Sequence, residues 1–535
     1  MAAGTAASRV AGLVRNVMLV AAVGSIGVVA DSFDVANKIP NVMFAILAGG
    51  ALNAVLVPQI VKAYREHNTQ ERLDKLLTVA GVGILALTTL LTAGSSLVIL
   101  LYTKDWTADQ LALGTLFAFW CIPQLFFYGL YALLGQVLNA RGQFGPYMWA
   151  PVMNNIVSII GFGIFLVAFG SAPTQGLGLQ GWDMPRTLLL AGTATLGIAA
   201  QALVLIIPLW RSGFRWHFRL GVRGIGLRSA GTVAAWTFAA VLLEQVGILY
   251  LTQVASSAPK LAEDLTVAGP AAYTQALMIY LLPHSLVTVS IATALFTGLS
   301  RAAAAGETER VRGDLSLGVR TVGVFTVFAT VALTVLATPV TALLVPSTGE
   351  LGVAAIAPVL IALSLGLVPL GAMVLMKWVY FAYEDGRSVF LITVPSTVAL
   401  VVGLFAAVQW LPPSTWVIAA GGSYALSNWV TVLLRTSGLR KKLGGLDSVR
   451  ILTLHVRAGV AAAISGAAAW GVYRLVGGND VLAWDGPRIL TVLNALWVTA
   501  LCGGVMLLLY LALLKLFRVR ELDTLARPLL RKLGR

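Results

Sequence analysis

The chain has 535 residues, 58% of them hydrophobic and only 11% charged, with a formal net charge of +15. A soluble domain carries about 25% charged residues, so this composition excludes one of useful size and points to an all-α polytopic membrane protein. Two cysteines and four histidines, with no HExxH, CxxC, GxSxG or Walker-type loop, give no disulfide framework and argue against metal or nucleophile chemistry.

Met1 to Ser8 lacks an apolar core, so no cleavable signal peptide is expected. Apolar runs then predict about fourteen spans of roughly 20 residues or more. They lie near 10–30, 36–61, 76–101, 110–139, 146–170, 187–210 and 229–254, then 269–300, 315–345, 352–381, 388–411, 415–434, 451–473 and 489–517.

The first span carries Arg9 near its start and Arg15 a turn and a half further in. An arginine facing lipid at mid-helix costs about 2.5–3.5 kcal/mol, so Arg15 should face protein or water. Arg9 can snorkel to the surface. Asp31 ends this span, and Lys38, Pro40, Asn41, Gly49, Gly50, Asn53 and Pro58 mark the second. On an ideal helix Lys38, Asn41, Ala45, Gly49 and Asn53 share about 120° of arc, a stripe expected to line a cavity. Gly49 and Gly50 serve equally well for close helix packing. Further along, Asn154-Asn155 falls in span five and Glu244-Gln245 in mid-span seven, where the glutamate reads as an ion carrier or as the partner of a cavity base.

Loop charges alternate. One set of loops, with Arg9 and the basic tail from Lys515 to Arg535, holds roughly 27 of the 37 Lys and Arg, and the other set about six. The first set, and with it both termini, is therefore expected in the cytoplasm, so most of the net charge records topology and no nucleic-acid partner is expected. Arg211, Arg215, Arg219 and Arg223 recur every fourth residue among Trp216, Phe218 and Leu220. This pattern predicts that the linker 211–228 is a basic amphipathic helix on anionic inner-leaflet lipids.

The two halves repeat. Pro40 matches Pro283, and Ala51-Leu52 matches Ala294-Leu295, at an offset of 243; Val137 and Ala140 match Val379 and Ala382 at 242. Six spans separate the copies, which preserves orientation. Two six-helix lobes, 1–210 and 229–440, are expected about a pseudo-two-fold axis along the membrane normal. Spans 13 and 14 (449–517) stand outside them.

The segments "SRVAGLVRNVMLV", "ADSFDVANKIPNVMFAILAGGALNAVLVPQIVKAY" and "LNARGQFGPYMWAPVMNNI" resemble the MurJ/MviN lipid II flippases of the multidrug/oligosaccharidyl-lipid/polysaccharide exporter superfamily. The resemblance implies a flippase that moves undecaprenyl-pyrophosphate-linked peptidoglycan precursor from the inner to the outer leaflet by alternating access. It implies a lipid-tail groove on the last two helices, and a bacterial cell membrane location. Arg9, Arg15, Asp31 and Lys38 match the family's polar positions, while Asn41, Asn53 and Asn154 join them as cavity candidates and Glu244 and Gln245 as ion-coupling candidates. Phe44 and Met278 stand where the family often has arginines, Gly49 where it has an acid and Asn16 where it has an aspartate, so the pyrophosphate-binding set is thinner here. No cofactor is expected; membrane potential, sodium and protons remain alternatives for coupling, and a monomer is expected. The rivals are a flippase for another polyprenyl-linked glycan, a cation-coupled drug exporter of the same superfamily and, last, a polyprenyl-dependent glycosyltransferase.

Overall fold

A computed structural model describes residues 2–48, 69–221, 232–519 and 521. Asn53, Gly49, Gly50, Pro58 and most of the C-terminal tail lie outside these residues. Among the described residues every long element is a helix and there is no strand. In hydrocarbon this is the expected outcome, because only a helix satisfies each backbone N–H and C=O within its own segment.

The first half contains α1 (Ala2–Val23), α2 (Val28–Leu47), α3 (Thr69–Ala93), α4 (Ser95–Tyr102), α5 (Ala108–Cys121), α6 (Gln124–Ala140), α7 (Phe144–Phe169), α8 (Met184–Leu203) and α9 (Ile206–Arg211). The second contains α10 (Thr232–Leu261), α11 (Pro270–Pro283), α12 (Val289–Ala304), α13 (Thr308–Val335), α14 (Ala337–Leu344), α15 (Gly349–Ser364), α16 (Leu367–Ala382), α17 (Gly386–Trp410) and α18 (Trp416–Lys442). Two final helices follow, α19 (Ser448–Leu475) and α20 (Arg488–Leu516).

Each of the fourteen expected segments contains helix. Eleven described spans are long and apolar enough to cross a membrane, and α15 with α16, bent by 49°, makes a twelfth. The first and second segments fall short of that standard. In α2 the cause is plain: Asp31, Asp34 and Lys38 put three charges on one 20-residue helix.

The breaks within spans repeat as well as the spans. At an offset of 242, the first residues of α2, α4 and α7 fall on the first residues of α11, α14 and α17. The last residues of α3, α4 and α6 fall on those of α13, α14 and α16 at the same offset. The matched prolines differ locally. Pro40 is carried inside α2, whereas Pro283 ends α11 and a π-turn over His284–Thr288 follows, the form a helix takes when a proline removes one ladder bond.

Contacts divide the chain at 271/272, not within the linker 211–228. The reason is α10. By the repeat it opens the second half, but it packs on α2 and α4. Trp106 Nε1 donates to the Ser256 carbonyl at 3.1 Å, Lys104 N to Ser256 Oγ at 3.1 Å and Gln253 Nε2 to the Leu101 carbonyl at 2.7 Å. Within this first unit, α2 lays Val29, Phe33, Ala36 and Ile39 against Phe117 and Cys121 of α5, with Phe33 edge-on to Phe117 at 5.4 Å.

The second unit is built around α13, which packs on α16 and α19. Tyr510 of α20 donates to the Val324 carbonyl at 2.7 Å, beside Leu454, Ala458 and Ala461. The last two helices are thereby fastened to α13. Asp385 joins α17 to the end of α18. Its carboxylate accepts from Ser388 N at 3.0 Å and Ser388 Oγ at 2.9 Å, and pairs with Lys442 Nζ at 2.7 Å. Burial pulls the Asp385 carboxyl upward, and the Lys442 and Ser388 bonds outweigh it, holding it below the usual carboxylate value. A depressed pKa contributes stability above the unfolded value and loses it as pH falls. Asp385→Asn is therefore expected to cost about 1 kcal/mol in thermal unfolding at pH 7 and progressively less below about pH 4.

The linker corrects an expectation. Residues 214–221 are not a helix but an extended strap along α3. The His217 N–H goes to Asp74 Oδ1 at 3.1 Å and the Arg219 N–H to Thr78 Oγ1 at 3.2 Å, while Trp216 Nε1 also donates to Thr78 Oγ1. Backbone donors spent on another helix's side chains are not available for i→i−4 bonds. Residues 222–231 lie outside the described residues.

Candidate functional site

Helix α2 starts where Gly27 makes the turn. Its φ of +95° lies in the left-handed region, and a Cβ there would come within 3.0 Å of Leu177 N. Glycine lets the chain enter α2 against the 170–183 loop, with Val29 N bonded to the Leu177 carbonyl at 3.2 Å.

One turn in, Asp31 is buried and accepts from the backbone N–H of Ala271, the last residue of the first unit, at 3.0 Å. Gly269 presses on the same carboxylate, and a Cβ at that position would lie 2.2 Å from Asp31 Oδ2. Asp31 is thus a structural acceptor for the 269–271 backbone.

The next turns of α2 build a polar cluster with α1 and α6. Lys38 Nζ pairs with Asp34 Oδ2 at 3.0 Å. Asn37 Oδ1 accepts from Gln124 Nε2 of α6 at 2.9 Å. Asn41 is exposed, donates to the Asn37 carbonyl at 3.3 Å and hydrogen-bonds Tyr128, one turn beyond Gln124. Arg15 of α1, half-buried, lies within electrostatic reach of Tyr128. Phe44 stacks on the Tyr128 ring with centroids 5.6 Å apart. Phe44, which stands where the family often has an arginine, is therefore the aromatic wall of this cluster.

The charges are unequal in consequence. Lys38 is offset by Asp34, whereas Arg15 has no carboxylate partner among the described residues. A half-buried guanidinium beside a phenol and amides is a donor set for a phosphate or pyrophosphate oxygen.

The other candidates sit elsewhere. Arg9 is exposed near the start of α1. Asn154 is buried between α7 and α8, accepting from Ser158 Oγ at 3.3 Å, and Gly197 packs on its amide. Its neighbour Asn155 does the work of joining α7 to α1, donating to the Ser8 carbonyl at 2.8 Å. Glu244 is exposed on α10 with no hydrogen bond or ion pair among the described residues. Gln245 Oε1 is buried without a hydrogen-bond partner. Asn53 lies outside the described residues.

Sequence reasoning missed Asp34, Asn37, Gln124 and Tyr128. Asp34 stands four residues before Lys38, the spacing of a helical ion pair, and that signal was readable. Gln124 and Tyr128 share a helix face at the same spacing, but within an aromatic run nothing marks them as polar partners of α2.

Comparison with known proteins settles the family. A family profile described as "Lipid II flippase MurJ" matches residues 20–480. The chain belongs to the MurJ family. A relative described as "Probable lipid II flippase MurJ" from Rhizobium meliloti (strain 1021) is 27% identical over 480 residues, covering 87% of this chain and 84% of that one. Among solved structures, "Lipid II flippase MurJ, inward closed conformation" aligns over 98% of this chain and 99% of its own, with a TM-score of 0.72 at 18% identity. An inward-facing MATE family transporter of the MOP superfamily aligns over 82% of this chain with a TM-score of 0.64 at 16% identity. The MurJ fold is therefore present nearly end to end, and the chain is a polytopic membrane protein of a transporter family.

Proposed function

We propose that the chain moves a polyprenyl-pyrophosphate-linked peptidoglycan precursor from the cytoplasmic to the outer leaflet of a bacterial cell membrane. The observation that carries this reading is the Arg15–Tyr128–Asn41 cluster, an anion-binding donor set with one unneutralised cation, in a chain of the MurJ family. A pyrophosphate with its sugars cannot cross hydrocarbon, whereas a polyprenyl tail is at home there. The cluster takes the phosphates, and the tail stays in lipid along α19 and α20. Both termini are cytoplasmic, on the strength of the loop charges.

An inside-negative potential favours outward movement of an anion by about 2.3 kcal/mol per charge per 100 mV. It thus supplies a driving force without a cofactor. Sodium or proton coupling would need an acid in the pathway; Glu244 is the sequence candidate, and Asp34 lies in the cluster itself. The protein works as a monomer on this reading, because each chain carries both repeats.

Depletion of the protein from its host, followed by extraction of lipid-linked precursors, tests the substrate. Peptidoglycan precursor should accumulate several-fold on the inner leaflet within a generation. Accumulation of a different polyprenyl-linked glycan, with peptidoglycan precursor unchanged, would assign the chain to that glycan instead.

A further inference from the structure

A basic cavity of the second unit lies away from the Arg15 cluster, where α13, α19 and the end of α20 meet. It has a volume of about 790 Å³, in the range of a drug-sized ligand site, and four arginines line it: Arg320, Arg450, Arg457 and Arg518. Glu521, itself buried, pairs with Arg320 and offsets one of them. Arg450, Arg457 and Arg518 have no hydrogen-bonded or ionic partner among the described residues. All three are exposed at the mouth of the cavity, and three like charges around one opening repel each other, a repulsion that solvent screens in part and a bound anion relieves.

Two further features narrow the anion. The cavity rim is apolar and open: Val449 is 79% exposed, Leu516 71% and Val456 55%. A small solvated phosphate has no use for such a rim, whereas a lipid places acyl chains on it and its headgroup among the arginines. The turn that presents Arg518 is also unusual. After α20 ends, Val519 N returns to the Leu514 carbonyl at 3.0 Å, and Arg518 sits at φ +54°, a position that favours glycine. Val519 is buried beside Tyr510 and Leu454, which holds this turn in place.

We propose that this cavity binds the phosphate headgroup of an anionic membrane phospholipid, with its chains lying over Val449, Val456 and Leu516. The site is separate from the Arg15 cluster and sits, on the topology above, at the cytoplasmic ends of α13, α19 and α20. Such a lipid clamps the last two helices to α13 at the headgroup level, as basic cavities between membrane helices do.

Native mass spectrometry of the purified full-length protein tests this, with phosphatidylglycerol and phosphatidylcholine as probes. The parent protein should retain phosphatidylglycerol at least ten-fold better than phosphatidylcholine. The variant R450Q/R457Q/R518Q should lose that preference with an unchanged melting temperature, while R211Q/R215Q, at the end of α9 and on the strap, keeps it. If the triple variant does not fold, Arg457→Gln alone should weaken retention several-fold. Three results would each overturn the assignment: a parent protein with no preference, a preference that survives all the variants, or equal retention of chainless glycerol phosphate. Displacement of phosphatidylglycerol by polyprenyl pyrophosphate in the parent but not in the triple variant would instead make the cavity a substrate site.

Discussion

Arg15→Ala should abolish precursor transport while leaving protein level and melting temperature unchanged. Lys38 already holds an ion pair with Asp34 at 3.0 Å, so much of its charge is spent before any substrate arrives. Arg15 has no such partner among the described residues and lies within electrostatic reach of Tyr128. A charge-assisted bond to phosphate, worth about 3 kcal/mol where water is excluded, corresponds to about 100-fold in rate. Arg15→Lys should recover only part of this, because an ammonium cannot make a bidentate contact. Arg9→Ala, at an exposed site, should cost far less. Translocation in proteoliposomes, read beside complementation of the depleted host, measures all three. An Arg15→Ala protein that transports at the parent rate would remove the residue from the mechanism.

The second large effect concerns movement. Helix α10 opens the second repeat but is fastened to the first by the Lys104–Ser256, Trp106–Ser256 and Gln253–Leu101 bonds, while Asp31 holds the 269–271 backbone. Alternating access by repeats that rock against one another requires this end to part. At about 1 kcal/mol net for each hydrogen bond, parting costs a few kcal/mol, comparable to what the membrane potential supplies per charge moved. Cysteines at Lys104 and Ser256, bridged by a short cleavable dithiol-reactive linker, should stop transport. Cleaving the linker should restore it. Cys121 and Cys502 are both buried and should not compete for the reagent. Transport at the parent rate with the bridge intact would show that this end need not open.

The sequence made the spans legible because membrane helices must be apolar for most of their length, and made the repeat legible because proline and small residues mark fixed backbone positions. Arg15, Lys38 and Asn41 stood out for the opposite reason, as polar residues in apolar runs. What could not be read was pairing. Gln124 and Tyr128 acquire meaning only when α6 lies on α2, and Asn154 reads like Asn155 until the helices around them are placed. The linker misled for a related reason. Arginines every fourth residue imitate a helix, yet the backbone donors of His217 and Arg219 find Asp74 and Thr78, more than a hundred residues earlier in the chain.

The attachment of α10 to the helices before it has a practical corollary for anyone dividing the gene. A nick placed between residues 222 and 231 yields a front polypeptide lacking the helix that covers α2 and α4, and a rear polypeptide that begins with it. That arm gives the two products a built-in means of recognising each other when they are co-expressed. A nick after 271 would instead leave the front piece with its own cover.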